Sequence, residues 1–117
     1  MRTETTDNAF RIRRLGAWDV DAILALCEGN RLFYQYHPPM ATRESILADM
    51  TALPPEKGME DKAYVGFFEG EKLVAVLDWI SGYPTKETAW IGLFMVSAEK
   101  QGKGVGSGII RAMAGSL

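Results

Sequence analysis

The sequence predicts one α+β domain, a mostly antiparallel sheet with helices packed on it. Three observations carry that prediction. Between residues 18 and 53 the apolar residues recur at helical spacing. Between residues 62 and 96 the helical period gives way to extended apolar runs broken by glycine-containing turns. After residue 96 a glycine-rich stretch, Gln101-Gly-Lys-Gly-Val-Gly-Ser107, joins the last strand to a final helical pattern. The element order is β-α-α-β-β-β-α.

The chain has 117 residues, enough for one domain and one core. A domain of this size buries roughly 60% or more of its unfolded surface. Its hydrophobic content of 47% and charged content of 24% are ordinary for a globular protein. The net charge of −2, with Lys and Arg scattered, offers no footprint for nucleic acid or an anionic membrane. No apolar run approaches a membrane span, and the polar, acidic start is no signal peptide. The single cysteine, Cys27, excludes an internal disulfide and fits a reducing, cytoplasmic setting.

In chain order, residues 1–9 are polar and expected to fray. Phe10–Arg14 alternates and reads as a short first strand. Trp18, Val20, Ile23, Leu24 and Cys27 form a helical stripe that ends at Gly29, with Asp19 and Asp21 in the first turn. Cys27 therefore reads as a small buried hydrophobe rather than a nucleophile. Leu32–Pro39 is an aromatic segment closed by two prolines. Thr42 is the expected N-cap of a second helix whose buried stripe is Ile46, Leu47, Met50 and Leu53. Residues 54–62 form a loop. Lys62–Phe68 is a strand, Glu69–Lys72 a hairpin turn with Gly70 at positive φ, and Lys72–Ile80 the next strand. That strand is apolar without alternation, so both of its faces should be covered. Ser81–Glu87 is a turn, Thr88–Val96 the fourth strand, and Trp79 and Trp90 are expected to pack on the sheet.

A strand, a glycine-rich turn and a helix start together present backbone N–H groups to an anion. Three phosphate-binding patterns compete for residues 101–107. A P-loop needs Gly-Lys followed by Ser or Thr, and no such triplet occurs. A dinucleotide fingerprint needs Gly-x-Gly-x-x-Gly. Counted from Gly102 its sixth position is Ser107, and from Gly104 it is Ile109. The third pattern, Gln/Arg-x-x-Gly-x-Gly/Ala, is matched by Gln101-Gly-Lys-Gly-Val-Gly106.

On that motif and the element order, the chain resembles the GNAT superfamily of acyl-coenzyme A-dependent N-acetyltransferases over nearly all of residues 10–117. Leu93-Phe-Met-Val96 sits where the family has its bulged fourth strand, with Ala98 in place of a frequent proline. The resemblance implies acetyl-coenzyme A as acyl donor, no metal, and a primary amine as acceptor attacking the thioester directly. Backbone amides of Gly102, Lys103, Gly104, Val105 and Gly106, with the Ser107 hydroxyl, would hold the pyrophosphate, and Gln101 would orient the turn. Phe94, Met95 and Val96 would lie along the pantetheine arm, with the backbone groups of Phe94 and Val96 pairing to it. One amide there would stabilise the developing oxyanion, a contribution of roughly 3–4 kcal/mol in other acyl-transfer enzymes. The structural alternative is an ordinary strand-to-helix turn.

Asp78 is the catalytic candidate on the acceptor side, because a lone carboxylate inside an apolar strand is costly without a role. It would bind the amine or relay its proton. Otherwise it is a carboxylate paired to an arginine or facing solvent at a strand end. Tyr34 and Tyr36 are candidate acceptor-binding residues, with packing between helix ends as their alternative. His37 beside them has no partners for a metal site. Tyr83 stands at the expected mouth of the cleft, or is simply a turn residue.

The family's domain normally continues past the element that ends this sequence at Leu117. The chain is therefore expected to be a truncated acyl-coenzyme A-binding domain that lacks the C-terminal strands. Its fourth strand would then be an open edge, which favours a homodimer. Two classes remain: an N-acetyltransferase acting on a small or peptide amine, and a non-catalytic domain of the same fold that binds acyl-coenzyme A or a partner chain.

Overall fold

The computed structural model describes residues 10–101 and 104–115, with side chains through residue 111. The expectations for residues 1–9, Gly102 and Lys103 lie outside the described residues. Strand β1 (Arg11–Arg14) leads through a short 3-10 turn (Ala17–Asp19) into helix α1 (Val20–Glu28), α2 (Arg31–Tyr36) and α3 (Arg43–Thr51). Strands β2 (Lys62–Glu69), β3 (Lys72–Ser81) and β4 (Ala89–Val96) follow, then helix α4 (Val105–Gly115). The sheet runs β1-β2-β3-β4, and every neighbouring pair is antiparallel.

Both faces of the sheet are covered. On one, Val20, Ile23, Leu26 and Cys27 of α1 and Ile46 and Met50 of α3 pack on Tyr64, Phe68, Val76 and Met95. On the other, Ile109 of α4 packs among Val65, Phe67, Ala75, Leu77 and Trp79. Central strand β3 is buried from Val74 through Ile80, which explains its unbroken apolar run. Burial of each such Val, Leu or Ile contributes about 1.5–3 kcal/mol. Cys27 is a buried free thiol in the first of these layers.

Local chemistry sets the element ends. The Thr42 side chain accepts from Ser45 N at 3.0 Å, and Ser45 Oγ accepts from Thr42 N at 2.9 Å, so α3 starts on a reciprocal cap. Gly70 turns the β2–β3 hairpin at φ 64°. Arg13 grips Asp19 through two guanidinium hydrogen bonds of 3.0 and 3.1 Å, and Gly16 N donates to the same carboxylate. This ties β1 to the entry of α1.

Four expectations are corrected. Arg31–Tyr36 is a helix of its own, although none of its residues is buried. Leu47 is exposed: Ile46 and Met50, four residues apart, face the sheet, and Leu47 points about 100° away from Ile46. Trp18 is 82% exposed, because it sits in the 3-10 turn before α1 with its ring over Gly16 rather than on the helical stripe. Trp90 is half exposed near the start of β4 and meets Tyr83 edge-on, whereas Trp79 is buried in the sheet core as expected.

Candidate functional site

Among the described residues, strand β4 pairs on one side only, with β3. Ser97 N donates to Val74 O at 2.8 Å, so the backbone of Ser97 faces β3. In an antiparallel ladder this orientation alternates along the strand. Met95 and Leu93 therefore also turn their N–H and C=O groups to β3, while those of Phe94 and Val96 point off the open edge. The Val96 carbonyl is already engaged, accepting from Gln101 Nε2 at 2.8 Å. The Phe94 N–H and C=O and the Val96 N–H remain available to an extended ligand.

Gly92 interrupts this strand. Leu93 pairs with Asp78 and Ile91 with Trp79, which leaves Gly92 as the extra residue of a β-bulge. A Cβ on Gly92 would come 2.7 Å from Asp78 Oδ2, so only glycine lets the bulge sit against that carboxylate.

Beyond β4, Gln101 fixes the turn at both ends. Its amide also bonds the side chain of Asn30, which is buried and donates to Leu26 O at 2.9 Å. The loop after β4 is thereby pinned to the end of α1. Gly104 takes φ 78°, and a Cβ there would meet nothing within 4 Å. The glycine is required by backbone conformation rather than by crowding. Helix α4 begins at the next residue, so the N–H groups of Val105, Gly106 and Ser107 have no intrahelical acceptors and open at the end of β4. Gly106 lies over the Phe94 ring, which brings the helix start close to the strand. A positive-φ glycine leading into free helical N–H groups, with open space around it, fits a pyrophosphate. No metal-binding group of three or more His, Cys, Asp or Glu occurs among the described residues.

A cleft of 410 Å³ runs between β4 and α2. Phe94, Met95, Val96 and Gln101 form one wall, and Asn30, Arg31, Phe33, Tyr36 and His37 the other. Phe33 and His37 stack with ring centroids 4.8 Å apart. Of the sequence candidates, the structure gathers Phe94, Met95, Val96, Gln101 and Tyr36 around this cleft, with Gly104, Val105, Gly106 and Ser107 at the helix start beside it. It does not gather Tyr34, Tyr83 or Asp78. Tyr34 packs inward against the core, and burial together with its hydrogen bond to Cys27 raises its pKa. Tyr83 stays in the turn before β4, against Trp90.

Asp78 is 6% exposed and Lys62 2% exposed. Lys62 Nζ lies 3.0 Å from Asp78 Oδ1 and 3.2 Å from Oδ2, and donates to Ala52 O at 2.7 Å. These contacts are those of the paired carboxylate, with a lysine where an arginine was expected. Burial raises the Asp78 pKa, and the lysine only partly offsets it. Asp49 is likewise raised, by burial and then by the Asp78 charge.

Asn30, Arg31, Phe33 and Lys62 were not singled out by the sequence. Only Asn30 had a local signal, its place directly after the helix-stopping Gly29.

No protein-family model and no curated protein sequence matches the chain. Solved structures do. An acetyltransferase from Thermus thermophilus superposes with a TM-score of 0.79 at 20% identity, over 93% of this chain and 70% of that one. The ribosomal-protein-S18-alanine N-acetyltransferase of Escherichia coli gives 0.62 at 12%, over 89% and 56%. The PaiA N-acetyltransferase of Thermoplasma acidophilum, in complex with coenzyme A, gives 0.58 at 12%, over 89% and 69%. The chain thus has the GNAT fold, and the resemblance read from Gln101–Gly106 and the element order holds for that fold.

Proposed function

We propose that this chain binds acyl-coenzyme A in the cleft between β4 and α2 and transfers the acetyl group to a primary amine by direct attack on the thioester. One observation carries the reading: the outward backbone groups of Phe94 and Val96 run directly into the positive-φ Gly104 and the free N–H groups of α4. Val105, Gly106 and Ser107, with Gly102 and Lys103 before them, hold the pyrophosphate. Phe94 and Val96 pair with the pantetheine arm as a neighbouring strand would. The first free N–H of the strand, on Phe94 or Val96, meets the thioester carbonyl and stabilises negative charge as it develops there. Tyr36 and its neighbours on α2 place the amine. Asp78 acts through position: its carboxylate seats the Gly92 bulge from which the binding stretch of β4 departs.

A second reading, a coenzyme-binding domain without turnover, is favoured by one observation. Among the described residues no carboxylate lines the cleft, so none is at hand to take the amine proton. Calorimetry with coenzyme A and acetyl-coenzyme A, run beside thiol release on an amine panel, tests both. Binding with thiol release supports transfer. Binding without it supports the second reading, and absence of binding overturns both.

The open edge of β4, with Trp90 and Ile91 exposed along it, supports a homodimer paired through that strand. A well-folded monomer in light scattering at micromolar concentration would refute that pairing. The free thiol of Cys27 accords with a cytoplasmic setting.

A further inference from the structure

The chemistry of the α2 wall narrows the acceptor, given the acetyl-transfer reading above. Arg31 is an exposed cation on that wall and has no ion-pair partner among the described residues. Phe33 and Tyr36 present aromatic surface beside it, and Tyr36 is exposed. Among the described residues no Asp or Glu lines the cleft. The buried carboxylate behind β4, Asp78, is closed off by Lys62. A polycationic amine would meet Arg31 with no anion to hold its remaining charges, and like charges in a confined site disfavour binding. An amine that carries a carboxylate and an apolar group would meet complementary partners. A guanidinium takes a carboxylate through two parallel hydrogen bonds, and aromatic rings take the apolar group.

We infer that the acceptor is a small primary amine bearing a carboxylate and an apolar or aromatic side chain, an amino-acid-like molecule, with Arg31 binding the carboxylate. This assigns Arg31 a specificity role toward the acceptor rather than toward the coenzyme, whose phosphates lie at the start of α4.

The test uses the purified chain with acetyl-coenzyme A and matched acceptors: phenylalanine against phenylalaninamide, leucine against leucinamide, and spermidine as a polycation. Thiol release gives kcat/KM, and saturation-transfer NMR on the coenzyme-loaded protein gives acceptor binding independently of turnover. The amides carry less basic amines, so the informative quantity is the acid-to-amide ratio in wild type divided by that in Arg31→Gln. That quotient is expected to be about five to ten, the worth of one partly exposed, bidentate charge pair. Coenzyme affinity in Arg31→Gln should stay within about twofold of wild type. A quotient near one, tighter binding of spermidine than of the amino acids, or a large rise in coenzyme Kd in Arg31→Gln would overturn the assignment. Failure of the wild-type chain to bind coenzyme A would overturn the acetyl-transfer reading itself, and this inference with it.

Discussion

Replacing Lys62 with methionine isolates the buried ion pair of the sheet. Methionine keeps most of the length of the stem and removes the ammonium. Two groups then lose a partner: the Asp78 carboxylate, held at 3.0 Å, and the Ala52 carbonyl at the end of α3, held at 2.7 Å. Breaking one side of a buried pair typically costs about 3–5 kcal/mol. An upper bound comes from Asp78 itself, which can take up a proton rather than stay buried as an anion. From its ordinary pKa of 3.8, protonation at pH 7 costs about 4 kcal/mol, at 1.36 kcal/mol for each of roughly three pH units. Burial has already raised that pKa, which lowers this bound, and the orphaned carbonyl adds about 1 kcal/mol. Urea unfolding at pH 7 should therefore show Lys62→Met destabilised by about 3–4 kcal/mol with an unchanged m-value. The sign of the pH dependence follows from the direction of the shift. Without the lysine, the folded-state pKa of Asp78 rises further above its unfolded value. The penalty is then absent below the unfolded value and grows as pH rises through the folded one. The deficit should shrink as pH falls from 7 toward 4. The double variant Lys62→Met with Asp78→Leu should recover at least about 2 kcal/mol of it, since a buried pair replaced on both sides by apolar groups is close to neutral. A deficit below about 1 kcal/mol, or one that does not change with pH, would refute the buried pair.

Gly92→Ala should lower stability by about 1–3 kcal/mol in thermal melting, because its Cβ meets Asp78 Oδ2 at 2.7 Å and Lys62 holds that carboxylate in place. If β4 binds the pantetheine arm, the same change should also weaken coenzyme A in calorimetry, and an unaltered Kd would separate the bulge from binding. Asp19 behaves oppositely to Asp78. Burial raises its pKa, but the Arg13 guanidinium and the Gly16 N–H more than offset this and hold it below the usual carboxylate value. The stability from this contact is present above the unfolded value of 3.8 and is lost as pH falls through the depressed folded one. Urea midpoints of Asp19→Asn should thus lie below wild type at pH 6 and converge with it toward pH 2. Parallel curves would contradict the assignment.

What the sequence exposed and what it hid divide along one line: patterns repeated along the chain were readable, and contacts between distant residues were not. The run Val74–Ile80 announces a strand covered on both faces, and Thr42 announces a helix start. Helix α2 has neither signal. It is six residues long, has no fully buried residue and stops before two prolines, so its composition resembles that of an aromatic loop. Lys62 opens a strand and looks like a solvated end, yet the antiparallel register seats it two strand positions from the residue opposite Asp78, on the same face of the sheet. Asp78 stood out as an anomaly, but its partner is 16 residues away and no local spacing encodes it. Gln101 was readable as part of a motif, whereas its bond to Asn30, 71 residues earlier, emerges only from the fold.

Strand β4 joins the two halves of the functional reading. Along an unbroken antiparallel strand, outward and inward backbone groups alternate without interruption, and an open edge would offer one uniform ladder from Ala89 to Val96. The bulge at Gly92 breaks that ladder into two segments with separate phase. Only the second segment, Leu93–Val96, is continuous with the turn that Gln101 pins and with the start of α4. Its outward positions are Phe94 and Val96, and the Val96 carbonyl is already taken by Gln101. A ligand strand docking there is consequently limited to the three backbone groups nearest the helix start. On the proposed function its register would follow from that limit: an acyl carrier with its phosphates at Gly104–Ser107 would have its far end beside Leu93 and Phe94, across the cleft from Arg31 and Tyr36. The bulge, seated on Asp78 and Lys62, would on that reading decide where along β4 the acyl group stops, although neither side chain lines the cleft.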